Sequence, residues 1–482
     1  MACLCDVALI AQLCTVLRGG SCAVTFGEWG SGLGITFAID ITSLVFAALG
    51  LALSLAVTLY TWREDVRPAS AALFHFLIGA CYGISFTKDL FNAYVLFELV
   101  TVSSYLLVGT DRRPRQIWAG LRYLIFSSFG MSVFLLGIAV VYAHVGSLDL
   151  DVVAAAVSAS AGASWVRLAS ALLVGGVAVK AGVFLFSLWL PLAHSQAPPA
   201  VSALLSGLVV KMGVVELYRL SAAFPIGFAL TVLGVATAVL GIAYAVWASD
   251  LKKMLAFHTL SQIGYLLIGF GTGSEAARYG ALDYAVAHGL FKALLFLAAG
   301  DAAAAVGSSR IDRLVEGRDQ LGGATRAAIG LATLAILGVP PFAGYAAKAV
   351  LESGIASVPL RVCVFLISAG TAVSFAKLWP VVAGSPRGRT ARPRAAAYAF
   401  LGTAVILFLP ISRAMEPVSV WSATLHLPAM AEAFAASLLG TAGYRWIRRH
   451  APRLPERIFF LEEGILAVLV GIFLIYALLG GS

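Results

Sequence analysis

The sequence predicts an all-α polytopic membrane protein with about fourteen transmembrane helices. Three observations carry that prediction. Of the 482 residues, 60% are hydrophobic and only 12% are charged, whereas a soluble domain carries about 25%. The apolar residues fall in runs of about 20 separated by short polar loops, the pattern of membrane-spanning helices. The basic residues concentrate in alternate loops. At this charge density there is too little polar surface to cover a water-soluble body that length alone would divide into about three domains. A soluble enzyme, a disordered chain, collagen and a secreted disulfide scaffold are excluded.

The apolar segments run in order over 36–62, 69–87, 89–109, 117–143, 166–190, 199–218, 226–248, 254–271, 277–305, 324–352, 359–383, 395–410, 418–440 and 459–479. Each except 395–410 is about as long as the hydrocarbon core requires. A shorter run from Asp6 to Leu17 precedes them. It lacks a basic leading region and a small-residue cleavage site, so no signal peptide is expected. Cys3, Cys5, Cys14, Cys22, Cys81 and Cys363 have no metal-ligand spacing and are read as small apolar residues.

Loop charge supports this layout. With alternating spans, one side collects Arg63, Arg67, Arg112, Arg113, Arg115 and Arg122, then Lys252 and Lys253, then three arginine clusters at 310–326, 387–394 and 445–457. That is 21 basic residues. The other side receives seven: Arg18, Lys88, Arg167, Arg219, Arg278, Arg361 and Arg413. The net charge of +9 therefore orients helices rather than binding nucleic acid, and the basic side is expected to be cytoplasmic. The loop from His144 to Trp165, with Asp149 and Asp151, suits the other side.

Five basic residues remain, Lys180, Lys211, Lys292, Lys348 and Lys377, all inside predicted spans. A lysine at mid-bilayer costs about 2.5–3.5 kcal/mol on insertion scales. Near a helix end it snorkels to the interface, but Lys180 and Lys292 lie too deep for that. Such residues face a polar interior and are suited to exchanging protons. Glu98 is the matching acid and is expected to pair with Lys180, either as a proton switch or as a static ion pair. His258 and His288 lie in neighbouring spans. His288 and Lys292 share a helix face, and imidazoles suit a relay better than a metal site, which wants more ligands.

Two spans carry helix breakers. Trp189-Leu190-Pro191 follows Lys180, and Pro340-Pro341 precedes Lys348. Proline frees a backbone carbonyl, which at membrane depth must be satisfied by protein or cavity water. Lys180 and Lys211 lie 31 positions apart in consecutive spans, and Lys348 and Lys377 lie 29 apart. Five spans separate the pairs, so equivalent helices would run in opposite directions, as in an inverted repeat.

Six stretches together resemble the antiporter-like subunits shared by respiratory complex I, membrane-bound hydrogenases and Mrp-type cation/proton antiporters. They are Leu33-Gly34-Ile35 with Asp40; Asp89 to Asn92 through Glu98 to Tyr105; Lys180 to Pro191 with Ala197 to Leu205 and Lys211; Asp250 to Lys253 with Ser261 to Tyr265; His288 to Phe296; and Gly338 to Lys348. The resemblance covers about residues 33–380. It implies two inverted five-helix bundles with discontinuous helices, at 69–220 and 225–383, between N-terminal helices (1–68) and C-terminal helices (384–482). It further implies an uptake pair of Glu98 and Lys180, a connecting Lys211, a central His288 and Lys292, and a terminal Lys348. His258 stands where many relatives have serine, and Lys377 rests on spacing alone. Relatives usually have two full helices ahead of Leu33, where this chain offers one short run. The chain also lacks the long C-terminal lateral helix of the largest family member.

The expected function is a proton-translocating subunit of a multisubunit redox complex of hydrogenase or NADH dehydrogenase type, in the cell membrane. Its partners are other membrane subunits, the bilayer and protons, with no nucleic acid, cofactor or metal. Sodium/proton exchange is the alternative within transport. It needs several oxygen ligands, and Glu98 stands almost alone, with Asp301 and Glu352 near span ends. A subunit reacting with quinone or hydrogen lacks cofactor ligands, and a passive scaffold for a redox arm leaves five costly lysines unexplained.

Overall fold

A computed structural model of the chain describes residues 22–26, 34–187, 189–415 and 461–480, with isolated positions at 8, 11, 15, 18 and 435. Apart from those isolated positions, the predicted span 418–440 and the run from Asp6 to Leu17 lie outside them, as do the arginines at 445–457 and Cys3, Cys5 and Cys14. The order begins with two strands, β1 (Cys22–Phe26) and β2 (Ile35–Ile39), which pair antiparallel. The all-α expectation missed this hairpin. The segment predicted to open a helix at 36 is instead a strand up to Ile39, and the first long helix starts at Ile41. Its start is set by a capping box, in which Asp40 accepts from the Ser43 amide and the Ser43 hydroxyl accepts from the Asp40 amide.

The helices are α1 (Ile41–Tyr60), α2 (Pro68–Phe86), α3 (Leu90–Val108), α4 (Pro114–Val145), α5 (Leu150–Ala159), α6 (Ser164–Ala181), α7 (Leu190–Gln196), α8 (Pro199–Ala223), α9 (Gly227–Trp247), α10 (Leu251–Gly271), α11 (Glu275–Val306), α12 (Ile311–Glu316), α13 (Gly323–Leu337), α14 (Ala343–Ser353), α15 (Val358–Val382), α16 (Arg392–Met415) and α17 (Leu461–Leu478). Among the described residues, ten helices are long and apolar enough to cross a membrane. The expected fourteen is not confirmed, since the predicted span 418–440 lies almost wholly outside the described residues. The segment predicted at 324–352 is two shorter helices, α13 and α14, and that at 166–190 is cut after α6. The predicted loop 144–165 contains α5, which Asp149 caps by accepting from the Asp151 and Val152 amides.

The ends of the helices sort into two faces, and contacts between loops define them. On one, Arg67 donates to the Thr110 carbonyl, Gln116 to the Gln196 carbonyl and Lys252 to the Ala197 carbonyl. The Leu251 amide bonds the Ser309 carbonyl, and Arg394 pairs with Glu64 at 2.9 Å. On the opposite face, the Lys88 amide bonds the Thr36 carbonyl, Lys88 pairs with Asp151 at 2.7 Å, and Arg278 lies over the Tyr218 ring. The predicted alternation places the same loops together. The first is the basic face.

The core is formed by α6, α8, α10, α11 and α14, whose buried residues include nearly all the intramembrane ionisable groups. The terminal α17 packs against α6, while α16 packs against α1, α11 and α13. Both α6 and α13 end on a glycine in the left-handed region, Gly182 (φ +76°) and Gly338 (φ +75°), where a side chain would be strained. The chain then leaves helical geometry before α7 and α14. Of the described cysteines, Cys81 is buried among apolar groups, while Cys22 is exposed.

Candidate functional site: a buried line of amines and imidazoles

At the first break, Lys180 is the penultimate residue of α6 and is buried. Its ammonium donates to the Thr101 hydroxyl and to the Phe97 carbonyl (3.5 Å), both on α3. Glu98 sits on α3 one turn before Thr101 and interacts electrostatically with Lys180. One of its carboxyl oxygens is buried without a hydrogen-bond partner. The direct Glu98–Lys180 pair expected from sequence is therefore absent from the structure. A hydroxyl and a carbonyl satisfy the ammonium without stripping water from a second full charge, which is the costly part of a buried ion pair.

Lys211 follows a π-helical stretch, Leu205–Val209, within α8. This widening of the helix, a feature frequent at functional sites, accompanies the bond from the Lys211 ammonium to the Ser206 carbonyl at 2.5 Å. The Ser206 hydroxyl meets the Thr259 hydroxyl of α10 at 2.8 Å. Thr259 in turn donates to the Leu255 carbonyl (3.2 Å), which also accepts from Lys292 of α11. Two hydroxyls thus lie between the residues whose backbone carbonyls hold Lys211 and Lys292. Sequence reasoning missed both, because serine and threonine are ordinary in membrane helices and nothing in one dimension aligns residues 53 positions apart.

Three buried histidines surround this bridge. His258 tilts on Phe375, and His288 stacks on Tyr284. His194 of α7, also missed, stacks on Phe296 (4.8 Å, 15°) and interacts electrostatically with Lys292, Lys211 and Lys252. It lies between Pro191 and Pro198, in a segment whose only one-dimensional signal is its prolines. All six ring nitrogens are buried without a protein partner. Such groups must be served by water or lie ready to take a proton.

Lys348 sits in α14, beyond the second break. Its ammonium donates to the Ile336 carbonyl of α13 (3.2 Å) and lies 5.1 Å and 5.5 Å from the Tyr265 and Tyr284 ring centroids. Tyr284 donates to Gln262 and stacks with His288, which links Lys348 to the central group. On its other side Lys348 lines a cavity of about 410 Å³ with Glu352, Arg361 and Ser368. Lys377 differs from the others. It donates to the Ala245 and Ala248 carbonyls, both at 3.0 Å, and so closes the C-terminal end of α9, where a cation is favoured by the helix dipole. Among the described residues, no three His, Cys, Asp or Glu side chains gather into a metal-ligating group.

Comparison with known proteins places this arrangement. Residues 87–375 match the transmembrane family of NADH:quinone oxidoreductase and Mrp antiporter subunits. The chain belongs to this family. The N subunit of the NADH-quinone oxidoreductase of Desulforudis audaxviator is 31% identical over 354 residues, 70% of either chain. A subunit of the Na(+)/H(+) antiporter of Alkalihalophilus pseudofirmus is 26% identical over 352 residues, 69% of either chain. Among solved structures, the fold is shared with a chain of the archaeal membrane-bound sulfane sulfur reductase (TM-score 0.79, 22% identity, 92% of each chain) and one of the Mrp complex from Dietzia sp. DQ12-45-1b (TM-score 0.75, 22% identity, 93% of each). The matched region contains Glu98, Lys180, Lys211, His258, His288, Lys292 and Lys348, and Lys377 lies just beyond it.

Proposed function

We propose that the chain is the proton-translocating, antiporter-like membrane subunit of a multisubunit redox complex. Residues 69–220 and 225–383 act as its two five-helix bundles. The observation that carries this reading is the set of buried polar groups in the helical core, Lys180 at the first break and the group of Lys211, Ser206, Thr259, Lys292 and His288 that continues to Lys348 and ends at a cavity. Protons are taken up near Glu98 and Lys180, cross along water, His194 and the hydroxyl bridge, and leave at Lys348. His258 flanks the centre. Moving one charge against a potential of about 100 mV costs about 2.3 kcal/mol, and the sequence has no redox or nucleotide motif to supply it. The driver is a partner in the complex. The basic face is cytoplasmic, following the distribution of loop arginines.

The test is proton pumping by the reconstituted complex. Lys348→Ala and Glu98→Ala are each expected to abolish it with assembly intact. Unchanged pumping in both overturns the proposal and leaves a passive scaffold.

A second reading, sodium/proton exchange without a redox partner, is favoured by the antiporter subunits among the relatives. Against it, the half-buried Glu98 and the buried Glu216 and Asp301 are dispersed rather than gathered, and a hard cation needs several oxygens. Sodium-dependent transport by a complex lacking any redox subunit would establish it.

A further inference from the structure

Three buried hydroxyls have no place in the path above: those of Tyr123 and Ser127 on α4 and of Ser104 on α3. All three residues are fully buried. Each hydroxyl oxygen lacks a hydrogen-bond partner, as does one carboxyl oxygen of Glu98. These four oxygens converge. The Tyr123 hydroxyl interacts with both serine hydroxyls and with the Glu98 carboxylate, yet it closes no direct hydrogen bond with any of them.

Local structure sets this arrangement. Gly120 lets α4 close onto α3, where a Cβ would stand 2.9 Å from the Tyr105 carbonyl oxygen. Tyr123 lies three positions on and Ser127 a turn further, on the same face of α4. The Tyr123 ring packs against Trp189, with centroids 4.3 Å apart. The Trp189 indole is itself anchored, donating to the Val179 carbonyl (3.0 Å) next to Lys180. The hydroxyl is thus held in one place. The group also lies on the basic-face side of Glu98. Helix α3 runs toward that face, and Ser104 is about 9 Å beyond Glu98 along its axis. Helix α4 starts from that face, with Tyr123 nine positions in from Pro114. Besides Glu98, the titratable group acting on Tyr123 is the Cys81 thiol of α2, and its neighbour Arg122 lies over the Phe126 ring at 6.0 Å.

Buried oxygens that face one another without bonding are costly unless water serves them. A water is well held where about two to four polar partners converge. Three hydroxyls and a carboxylate meet that need: the hydroxyls donate to or accept from a water, and the carboxylate accepts from it. A structural role for the tyrosine needs only its ring against Trp189 and leaves the hydroxyl, and the two serines facing it, without a purpose.

We propose that Tyr123, Ser104 and Ser127 are positioning residues that hold a water against the buried oxygen of Glu98, and that Glu98 takes its proton from the basic face through this water. The inference rests on the proton-translocating function proposed above and follows its direction, because Glu98 and Lys180 are where protons enter. When a proton arrives, an O–H bond of the protonated water breaks as a carboxyl O–H bond forms at Glu98. The three hydroxyls keep their own protons.

The test measures transport by the reconstituted complex, per assembled complex and relative to wild type, while the solution on the basic face is taken from alkaline to acid. Tyr123→Phe keeps the ring against Trp189 and deletes the hydroxyl. A second variant combines Ser104→Ala with Ser127→Ala. Proton delivery depends on proton concentration, whereas packing does not. Each variant is therefore expected to lose about tenfold in rate in alkaline solution and to approach wild type in acid. Full transport in either at every pH overturns the inference. So does a loss in either that acid leaves unchanged, which marks a packing role. If Tyr123→Phe does not assemble, the serine variant decides alone. Lys348→Ala and Glu98→Ala serve as references: their loss of transport beside full transport in the hydroxyl variants leaves the proposed function standing, and full transport in both references removes that function as well.

Discussion

The two helix breaks solve one problem in different ways. Each frees a carbonyl that membrane depth makes expensive to leave bare. At the first, the Trp189 indole donates to the Val179 carbonyl at 3.0 Å. This neutral donor leaves the adjacent Lys180 to reach across to Thr101 and Phe97. The connecting segment also holds Leu185 at φ +71°, a conformation that a bulky residue rarely adopts. At the second break, the ammonium of Lys348 itself takes the freed Ile336 carbonyl, at the negative end of the α13 dipole. Lys180 is thus separated from the upkeep of its break, whereas Lys348 is part of it. On the proposed function, proton transfer at Lys348 is coupled to the hydrogen bonding of a helix end, and at Lys180 it is not.

The largest expected effect tests that difference directly. Lys348→Met should stop transport and also lower stability by about 1–3 kcal/mol, because the Ile336 carbonyl loses its donor. Lys180→Met should stop transport while leaving thermal unfolding of the purified complex near wild type. Equal losses of stability in the two would remove the contrast. Next, Trp189→Phe keeps the ring and deletes the donor. It should cost about 1–3 kcal/mol and reduce transport only in proportion to the folded fraction, measured as rate per assembled complex. A rate that collapses in the assembled protein would show that the first break, too, is tied to its lysine.

Smaller effects sharpen the role of the central bridge. Thr259→Val preserves shape and removes the hydroxyl between Ser206 and the Leu255 carbonyl. Transport should fall by about tenfold, as one hydrogen bond worth about 1 kcal/mol or slightly more is lost from the path. Thr259→Ser should restore it, and an undiminished rate in Thr259→Val would mean that protons bypass the bridge. The smallest effect on transport is expected for Lys377→Met. It removes a cap on α9 and should lower the melting temperature by the equivalent of about 1 kcal/mol, with transport per folded complex unchanged. A transport defect without a stability change would return Lys377 to the path.

Much of the fold is legible in the sequence because a membrane imposes one-dimensional rules. Apolar runs mark helices, loop arginines sort the two faces, and prolines mark the breaks after Lys180 and before Lys348. The structure groups the same loops that the charge bias grouped. The β1–β2 hairpin escaped because Ile35–Ile39 is as apolar as the helix that follows it. The count of fourteen spans is not confirmed, and the apolar run 324–352 is two shorter helices on either side of Pro340 and Pro341, where the prolines had marked a break.

The sequence by itself determined which residues are costly enough in a bilayer to demand a role: five lysines, Glu98, His258 and His288. That cost is a property of a residue and its depth, and depth follows from position along a run. Only the tertiary structure decided what each one touches. Lys180 chose Thr101 over Glu98, Lys377 became a cap, and Ser206 and Thr259 became a bridge. His194 came to interact electrostatically with the central lysines. Each outcome depends on hydrogen-bond reach of about 3 Å between helices far apart in the chain, and packing alone sets those distances.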